Sequence, residues 1–299
     1  MADKAHILTD GKLEEMERHL SAIYSRANKE VGKTWAQYMK DSTKEIEELQ
    51  EAYDLAKKSG DRDEIKRTGK ALGRAKREVT IKNKHYKALT ETLAREISHI
   101  NETAVAYIND QLPEVYVMNY NALKESVDGV GGYVFELVDA DTVKHLALTD
   151  KSLLPYKKLD LRKDIPWNMK KINSEVLQGI IQGESMDKIA KRIGNVQEMN
   201  KNASIRTART IVTGAENKGR FDSYQKATDD GIILEEEWIA TNDSRTRHSH
   251  AIMDGETKGV NGKFSNGLAF PGDPNGRPEE VYQCRCSMAA RVIGFRKVK

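Results

Sequence analysis

No proline occurs before Pro113, and the apolar residues ahead of it recur at helical spacing. From about Leu13 to Ala56 one stripe runs through Leu13, Met16, Leu20, Ile23, Ala27, Val31, Trp35, Tyr38, Ile46, Leu49 and Tyr53. A repeat of three and four residues places such side chains on one helix face, and a break is expected only near Ser42. Ser59-Gly60-Asp61 reads as a helix stop followed by the N-cap of the next helix. Ile65, Leu72, Val79 and Tyr86 then fall seven residues apart, as on a coiled-coil-like seam. Leu89, Leu93, Ile97, Ile100, Ala104 and Ile108 continue the pattern, which is expected to loosen around Pro113. Two or three long antiparallel helices satisfy this arrangement.

Such helices bury a narrow seam and leave most of their surface wet. The composition agrees: 38% of the 299 residues are hydrophobic, 32% charged and 6% aromatic. This is too little apolar material for one large core, and too periodic for a chain disordered throughout. The length suggests about two domains. A net charge of +3 argues against a protein that coats nucleic acid over its whole surface, so any DNA contact must come from a local patch. The amino terminus has no apolar core of signal-peptide length, and no stretch approaches ~20 apolar residues. The expected location is therefore the cytoplasm, or a structure assembled there, with no membrane partner.

Beyond the helices, Asp128-Gly129-Val130-Gly131-Gly132 breaks the pattern. Tyr133 to Val138 alternates like a strand, and Asp141 is placed to cap a short helix. The polar stretch from Pro155 to Pro166 reads as a linker. Asp164 is expected to cap a helix that tolerates Pro166 in its first turn and runs to about Gly183. A short helix from Met186 to Ile193 behind Ser185, and a longer one from Ala203 to near Gly231, should follow. Leu234, Trp238 and Ala240 then sit at even spacing on a strand, and Val281 to Ile293 reads as a final strand. The expected fold class is mainly α with a smaller α+β carboxy-terminal part. Its segments are 1–130 (long helices for docking), 131–163 (short elements and linker) and 164–299 (helices plus a small loop-rich sheet).

Three constellations could carry chemistry. The first is His248, His250, Asp254, Cys284 and Cys286. The two cysteines are the only ones in the chain, and a disulfide across one intervening residue would be strained, so a reduced pair is expected. Histidine and reduced cysteine are the usual zinc ligands, and on a strand both sulfurs would share a face. If Arg245 to Met253 is helical, His248 and His250 point apart and His250 shares a face with Asp254. If it is extended, the two histidines share one. The candidate metal ligands are His250, Cys284 and Cys286, with Zn2+ as the candidate ion. The alternative is two cysteines buried as small hydrophobes while His250 hydrogen-bonds a loop.

The second constellation is Asn242-Asp243-Ser244-Arg245-Thr246-Arg247. Asp243 and Ser244 suit a turn or cap, and Arg245 and Arg247 suit either fixing neighbouring carbonyls and carboxylates or gripping phosphate. The third is a basic run. Residues 57, 58, 62, 66, 67, 70, 74, 76, 77, 82, 84 and 87 are Lys or Arg, against acids at 61, 63, 64 and 78. Arg67, Lys70, Arg74 and Arg77 line the face opposite the seam and are candidate DNA contacts. The alternative is a solvated face paired to Glu45, Glu47, Glu48, Glu51 and Asp54. No P-loop, dinucleotide fingerprint, nucleophile elbow or H-E-x-x-H motif occurs, so no enzyme is expected. A metal-dependent nuclease at the His/Cys cluster is the catalytic alternative.

Residues 205–286 carry a resemblance. RTARTIVTGAENKGR (Arg206–Arg220), EEWIATNDSRTRHSHAIMDG (Glu236–Gly255), FSNGLAFPGDP (Phe264–Pro274) and C-R-C (Cys284–Cys286) occur in the order seen in Mu F-like phage head morphogenesis proteins. The most specific part is Trp238, Ala240, Asp243, Arg245, Thr246, Arg247 and His250, with Trp238 expected in the core. The similarity extends weakly to about Asp164 and covers under half of the chain. It implies a minor capsid protein of a tailed phage, located in the capsid interior or portal region and in the host cytoplasm during assembly. The implied partners are the portal protein, the major capsid protein or both, with packaged double-stranded DNA as a further candidate. An internal DNA-binding protein that protects or guides the genome end is the alternative role. The residues after Cys286 are too few for an appended toxin or enzyme domain of the kind some relatives bear.

Overall fold

The structure, a computed structural model, describes residues 4–78, 84–182, 184 and 186–296. Long helices dominate: α1 (Lys4–Ser59), α2 (Arg62–Glu78), α3 (Lys84–Asn121), α6 (Leu161–Ile181) and α7 (Met186–Asp229). Short helices α4 (Lys124–Val127), α5 (Ala140–Thr149), α8 (His248–Ala251) and α9 (Pro278–Val281) lie among the loops. Strands β1 (Ile232–Ile239), β2 (Thr257–Gly259) and β3 (Ser287–Phe295) form one antiparallel sheet in the order β2-β1-β3. The protein is mainly α with a small sheet near its carboxy terminus, as the sequence indicated. Among the described residues, no helix is long and apolar enough to cross a membrane.

Local chemistry explains several boundaries. Gly60, at φ 75°, ends α1, and the Asp61 carboxylate accepts from the Asp63 and Glu64 backbone N–H groups at 3.0 and 3.1 Å. That is the stop and cap read from Ser59-Gly60-Asp61. Other expectations are corrected. α1 runs unbroken through Ser42. α3 passes through Pro113, which removes one intrahelical hydrogen bond and normally costs ~3 kcal/mol in a helix interior. The burial of Leu112, Val115 and Tyr116 around it offsets that cost. α7 is one helix, not two, because Val196, Gln197 and Asn200 are buried across the expected gap. Propensity yields there to packing.

Residues 133–139 form no strand. Asn121 instead acts as the neighbour: its side chain accepts from the Val138 N–H at 3.0 Å and donates to the Val138 carbonyl at 2.8 Å. The cap of α5 is Asp139 rather than Asp141, accepting from the Thr142 N–H at 2.9 Å. Asp160, not Asp164, opens α6 by accepting from the Arg162 N–H at 3.1 Å. The final strand begins at Ser287, because 278–281 is helical and 284–286 lies outside the sheet. Val79 and Ser185, assigned roles from the sequence, lie outside the described residues.

The contacts resolve two compact units. Unit 1 comprises 1–20, 104–158 and 203–299, and unit 2 comprises 21–103 and 159–202. The consecutive segments 1–130, 131–163 and 164–299 follow chain order, whereas the units follow contacts. Unit 2 is built on Val31, Trp35, Leu93, Ile97, Ile172, Ile189, Ile193 and Val196. It also holds a buried polar ring. Asn101 donates to Asp164 (2.9 Å) and Asn200 (2.7 Å), Asn200 donates to Asn168 (2.8 Å), and Asn168 donates to Asp164 (3.0 Å). Two apolar clusters of unit 1 surround the sheet and the loops beside it. One contains Leu123, Phe135, Tyr224, Leu234, Phe270 and Met288, and the other Trp238, Met253, Phe264, Leu268, Val281 and both cysteines.

Candidate metal centre and the clamp that holds it

Everything in this centre belongs to unit 1. Helix α7 supplies its platform. Thr210, Thr213, Asn217 and Arg220 recur at steps of three and four, so they share one face. The Thr210 hydroxyl accepts from the Gln283 N–H at 2.9 Å, and the Thr213 hydroxyl donates to the Cys284 carbonyl at 2.8 Å. Asn217 and Arg220 donate to the carbonyls of Cys286 and Met288 at 3.1 and 2.9 Å. Four side chains of the Arg206–Arg220 motif thus hold the backbone from Gln283 to Met288. Gly219 lets α7 approach α3, since a Cβ there would lie 2.4 Å from the Tyr116 carbonyl oxygen.

The clamped segment presents both sulfurs to one imidazole. His250 Nδ1 lies 3.5 Å from Cys284 Sγ and 3.4 Å from Cys286 Sγ, with Glu280 Oε2 2.8 Å from Nε2 on the far side. Both cysteines are free thiols, and the three ligand atoms lie within 4.8 Å of one another. His250 and Cys284 are 1% exposed and Cys286 3%. The Trp238 ring meets the imidazole edge-on at a centroid distance of 5.2 Å.

Each ionisable group feels its neighbours. Cys284 donates toward its partner sulfur, which pulls Cys286 down to about 5, and the contact with His250 adds to this. The same hydrogen bond, reinforced by burial, raises Cys284. Burial works against a charge on His250, but Cys286 and Glu280 outweigh it and raise the imidazole. The cluster therefore collects negative charge on sulfur beside a histidine, which suits a soft or borderline cation.

The arrangement differs in part from expectation. The cysteines precede β3 rather than lying in a strand, yet their sulfurs still converge. α8 makes the 248–251 segment helical, so His248 takes no part in the cluster. Asp254 is also elsewhere: its carboxylate accepts from the Ala240 N–H at 2.8 Å and the Asn242 side chain at 2.6 Å. Arg247 donates to the Tyr282 carbonyl, and Arg245 is exposed, 3.8 Å from Asp243. Arg285, between the cysteines, binds both Asp243 oxygens at 2.6 and 2.5 Å. Sequence reasoning gave Glu280 and Arg285 no role. The opposite charges of Asp243 and Arg285 were a signal, whereas nothing in P-E-E-V-Y-Q-C marked which glutamate turns inward.

The basic candidates lie in unit 2. Arg67, Lys70 and Arg74 are exposed on α2, and Arg67 pairs with Glu64 at 2.7 Å. The side chain of Arg77 lies outside the described residues.

The centre lies within a segment that resembles a known family. Residues 170–289 match the family described as Phage Mu protein F like protein. The whole chain is similar to Minor head protein GP7 of Bacillus phage SPP1, with 23% identity over 284 residues that cover 94% of this chain and 87% of that protein. A shorter likeness, 28% over 126 residues, is to NAD(+)–arginine ADP-ribosyltransferase EFV of Enterococcus faecalis; it covers 42% of this chain and 26% of the enzyme. The chain thus spans about a quarter of that enzyme's length. No solved structure matches. Residues 170–289 are thus similar to the Mu F-like family, and the chain as a whole resembles a phage minor head protein.

Proposed function

We propose that this protein is a minor capsid protein of a tailed phage, acting in head morphogenesis and docking on the portal protein, the major capsid protein or both. The observation that carries this reading is the similarity to a minor head protein along nearly the entire chain. Helices with a wet outer face suit docking, since a partner can cover surface that the chain's own cores leave exposed. The protein belongs in the virion, in the capsid interior or at the portal, and passes through the host cytoplasm during assembly. The role is not catalytic. Burial of His250, Cys284 and Cys286 supports this, because a polymer has no access to side chains exposed by 1–3%.

Direct contact with packaged DNA is the finer part of the proposal, and α2 carries it through Arg67, Lys70, Arg74 and Arg77. The test is a phage in which these four residues are replaced by glutamine. If heads assemble and incorporate the variant but genome delivery fails, α2 serves the DNA, and guiding the genome end becomes the main task. If the variant no longer enters heads, α2 is a docking surface. Unchanged incorporation and delivery would remove α2 from both roles. Failure of wild-type protein to enter heads would overturn the head assignment itself.

A further inference from the structure

We infer that His250, Cys284 and Cys286 form a structural zinc clasp, with Glu280 as the positioning residue behind the histidine. The inference rests on the geometry of unit 1 and is independent of which head component the protein docks on. With zinc–sulfur bonds of ~2.3 Å and zinc–nitrogen bonds of ~2.0–2.1 Å, a tetrahedral site has nitrogen–sulfur edges of about 3.5 Å. The observed edges from His250 Nδ1 are 3.5 and 3.4 Å.

The tautomer points the same way. When Nε2–H donates to Glu280, 2.8 Å away, the lone pair of Nδ1 faces the two sulfurs. One ring nitrogen and two sulfurs then converge on a single point, a donor set that a borderline cation can occupy. A carboxylate that holds the outer nitrogen of a ligating histidine fixes its ring and raises its basicity. The Cys286 backbone N–H lies 3.4 Å from Cys284 Sγ and helps to fix where that sulfur sits.

Two further observations make the ion a fastener. The clamp from α7 holds the carbonyls of both cysteines, so the sulfurs are fixed before any metal arrives. His250 comes from α8, across the loop-rich half of the unit, so the ion would link α8 to the 284–286 segment. Among the described residues the cluster supplies three protein ligands, so a tetrahedral ion would need one further donor. Small loop-rich folds gain folding free energy from such a site.

The test uses the full-length chain, purified under reducing conditions without added metal. The expected result is one zinc per chain by elemental analysis. Cobalt substitution should give a sulfur-to-cobalt charge-transfer band and the intense visible bands of a tetrahedral ion. Wild-type protein that retains no metal and gives no charge-transfer band would overturn the clasp and leave a metal-free thiolate–imidazole cluster. His250→Ala should abolish the tetrahedral spectrum; its persistence would overturn the ligand assignment. Glu280→Gln should keep the spectrum but weaken affinity by ~10–100-fold, and unchanged affinity would remove its positioning role. If these variants fail to fold, alkylation of wild-type protein decides. Thiols protected until a chelator is added support the clasp, and thiols equally reactive with and without chelator contradict it.

Discussion

Arg285 grips Asp243 with two guanidinium nitrogens, at 2.6 and 2.5 Å, and so ties the residue between the two cysteines to the turn that follows Ala240. The fork geometry of arginine matches a carboxylate in a way a lysine cannot. Asp243 also accepts from the Arg245 N–H at 2.9 Å. The guanidinium, chiefly, holds its carboxyl well below the usual carboxylate range.

This pair makes a pH prediction. A carboxylate with a depressed folded pKa contributes stability above its unfolded value, about 3.9 for aspartate, and loses it as pH falls through the folded value. Asp243→Asn should therefore lower stability at neutral pH and make little difference in strong acid. Denaturant titrations at several pH values measure it. An equal loss at both ends of the range would show that the pair acts through packing and not charge.

Trp238 predicts a graded series. It is fully buried, meets Phe264 and His250 edge-on, and its indole N–H has no hydrogen-bond partner among the described residues. Trp238→Ala should cost ~3–5 kcal/mol through the cavity it leaves. Trp238→Phe should cost only about 1 kcal/mol, because it also removes an orphaned buried donor. Equal losses in the two variants would mean that the N–H has a partner in solution.

The sheet carries a buried charge pair. Glu236, 0% exposed on β1, stands opposite Lys258 on β2 and bonds to it, while the ammonium lies 4.8 Å from the Phe264 ring centroid. Burial pushes the Glu236 carboxyl up to about 7, against the pull of Lys258. A carboxyl raised in the fold favours stability below its unfolded pKa and loses that contribution as pH rises through the folded value. Glu236→Gln should thus flatten stability between about pH 5 and 8. Lys258→Met, which strands the carboxylate, should cost ~3–5 kcal/mol at pH 8 and less at pH 5. A pH-independent loss in Lys258→Met would contradict this.

In unit 2 the asparagine ring should behave as one network. Each of Asn101, Asn168 and Asn200 is buried and bonded to another ring member. Asn101→Ala should cost ~1–3 kcal/mol, since it leaves partners unsatisfied. A double-mutant cycle with Asn200→Ala should show a coupling of ~0.5–3 kcal/mol. Strict additivity would mean that the two side chains do not share a network.

What was legible follows the physics that acts locally. The apolar period gave the long helices, Gly60 and Asp61 gave a stop and a cap, and alternation gave β1 with Trp238 inside. Where tertiary burial outweighs propensity, local reading failed: Pro113 passes inside α3, and Val196 and Asn200 carry α7 across a gap rich in Gly and Asn. The Tyr133–Val138 alternation was a false strand because its hydrogen bonds go to the Asn121 and Asp128 side chains and to Gly129, not to a second strand. In the site, residue type named His250 and the cysteines, since few other groups bind a borderline metal. Glu280, Thr213 and Asn217 stayed hidden because their partners are backbone or ring atoms brought close only by folding.

The proposed role makes the protein a component of the phage head. Quantitative mass spectrometry on purified filled heads, DNA-free heads and host cytoplasm tests it most directly. The protein should travel with both kinds of head at low copy number relative to the major capsid protein. A protein confined to the cytoplasm and missing from heads of either kind would contradict it.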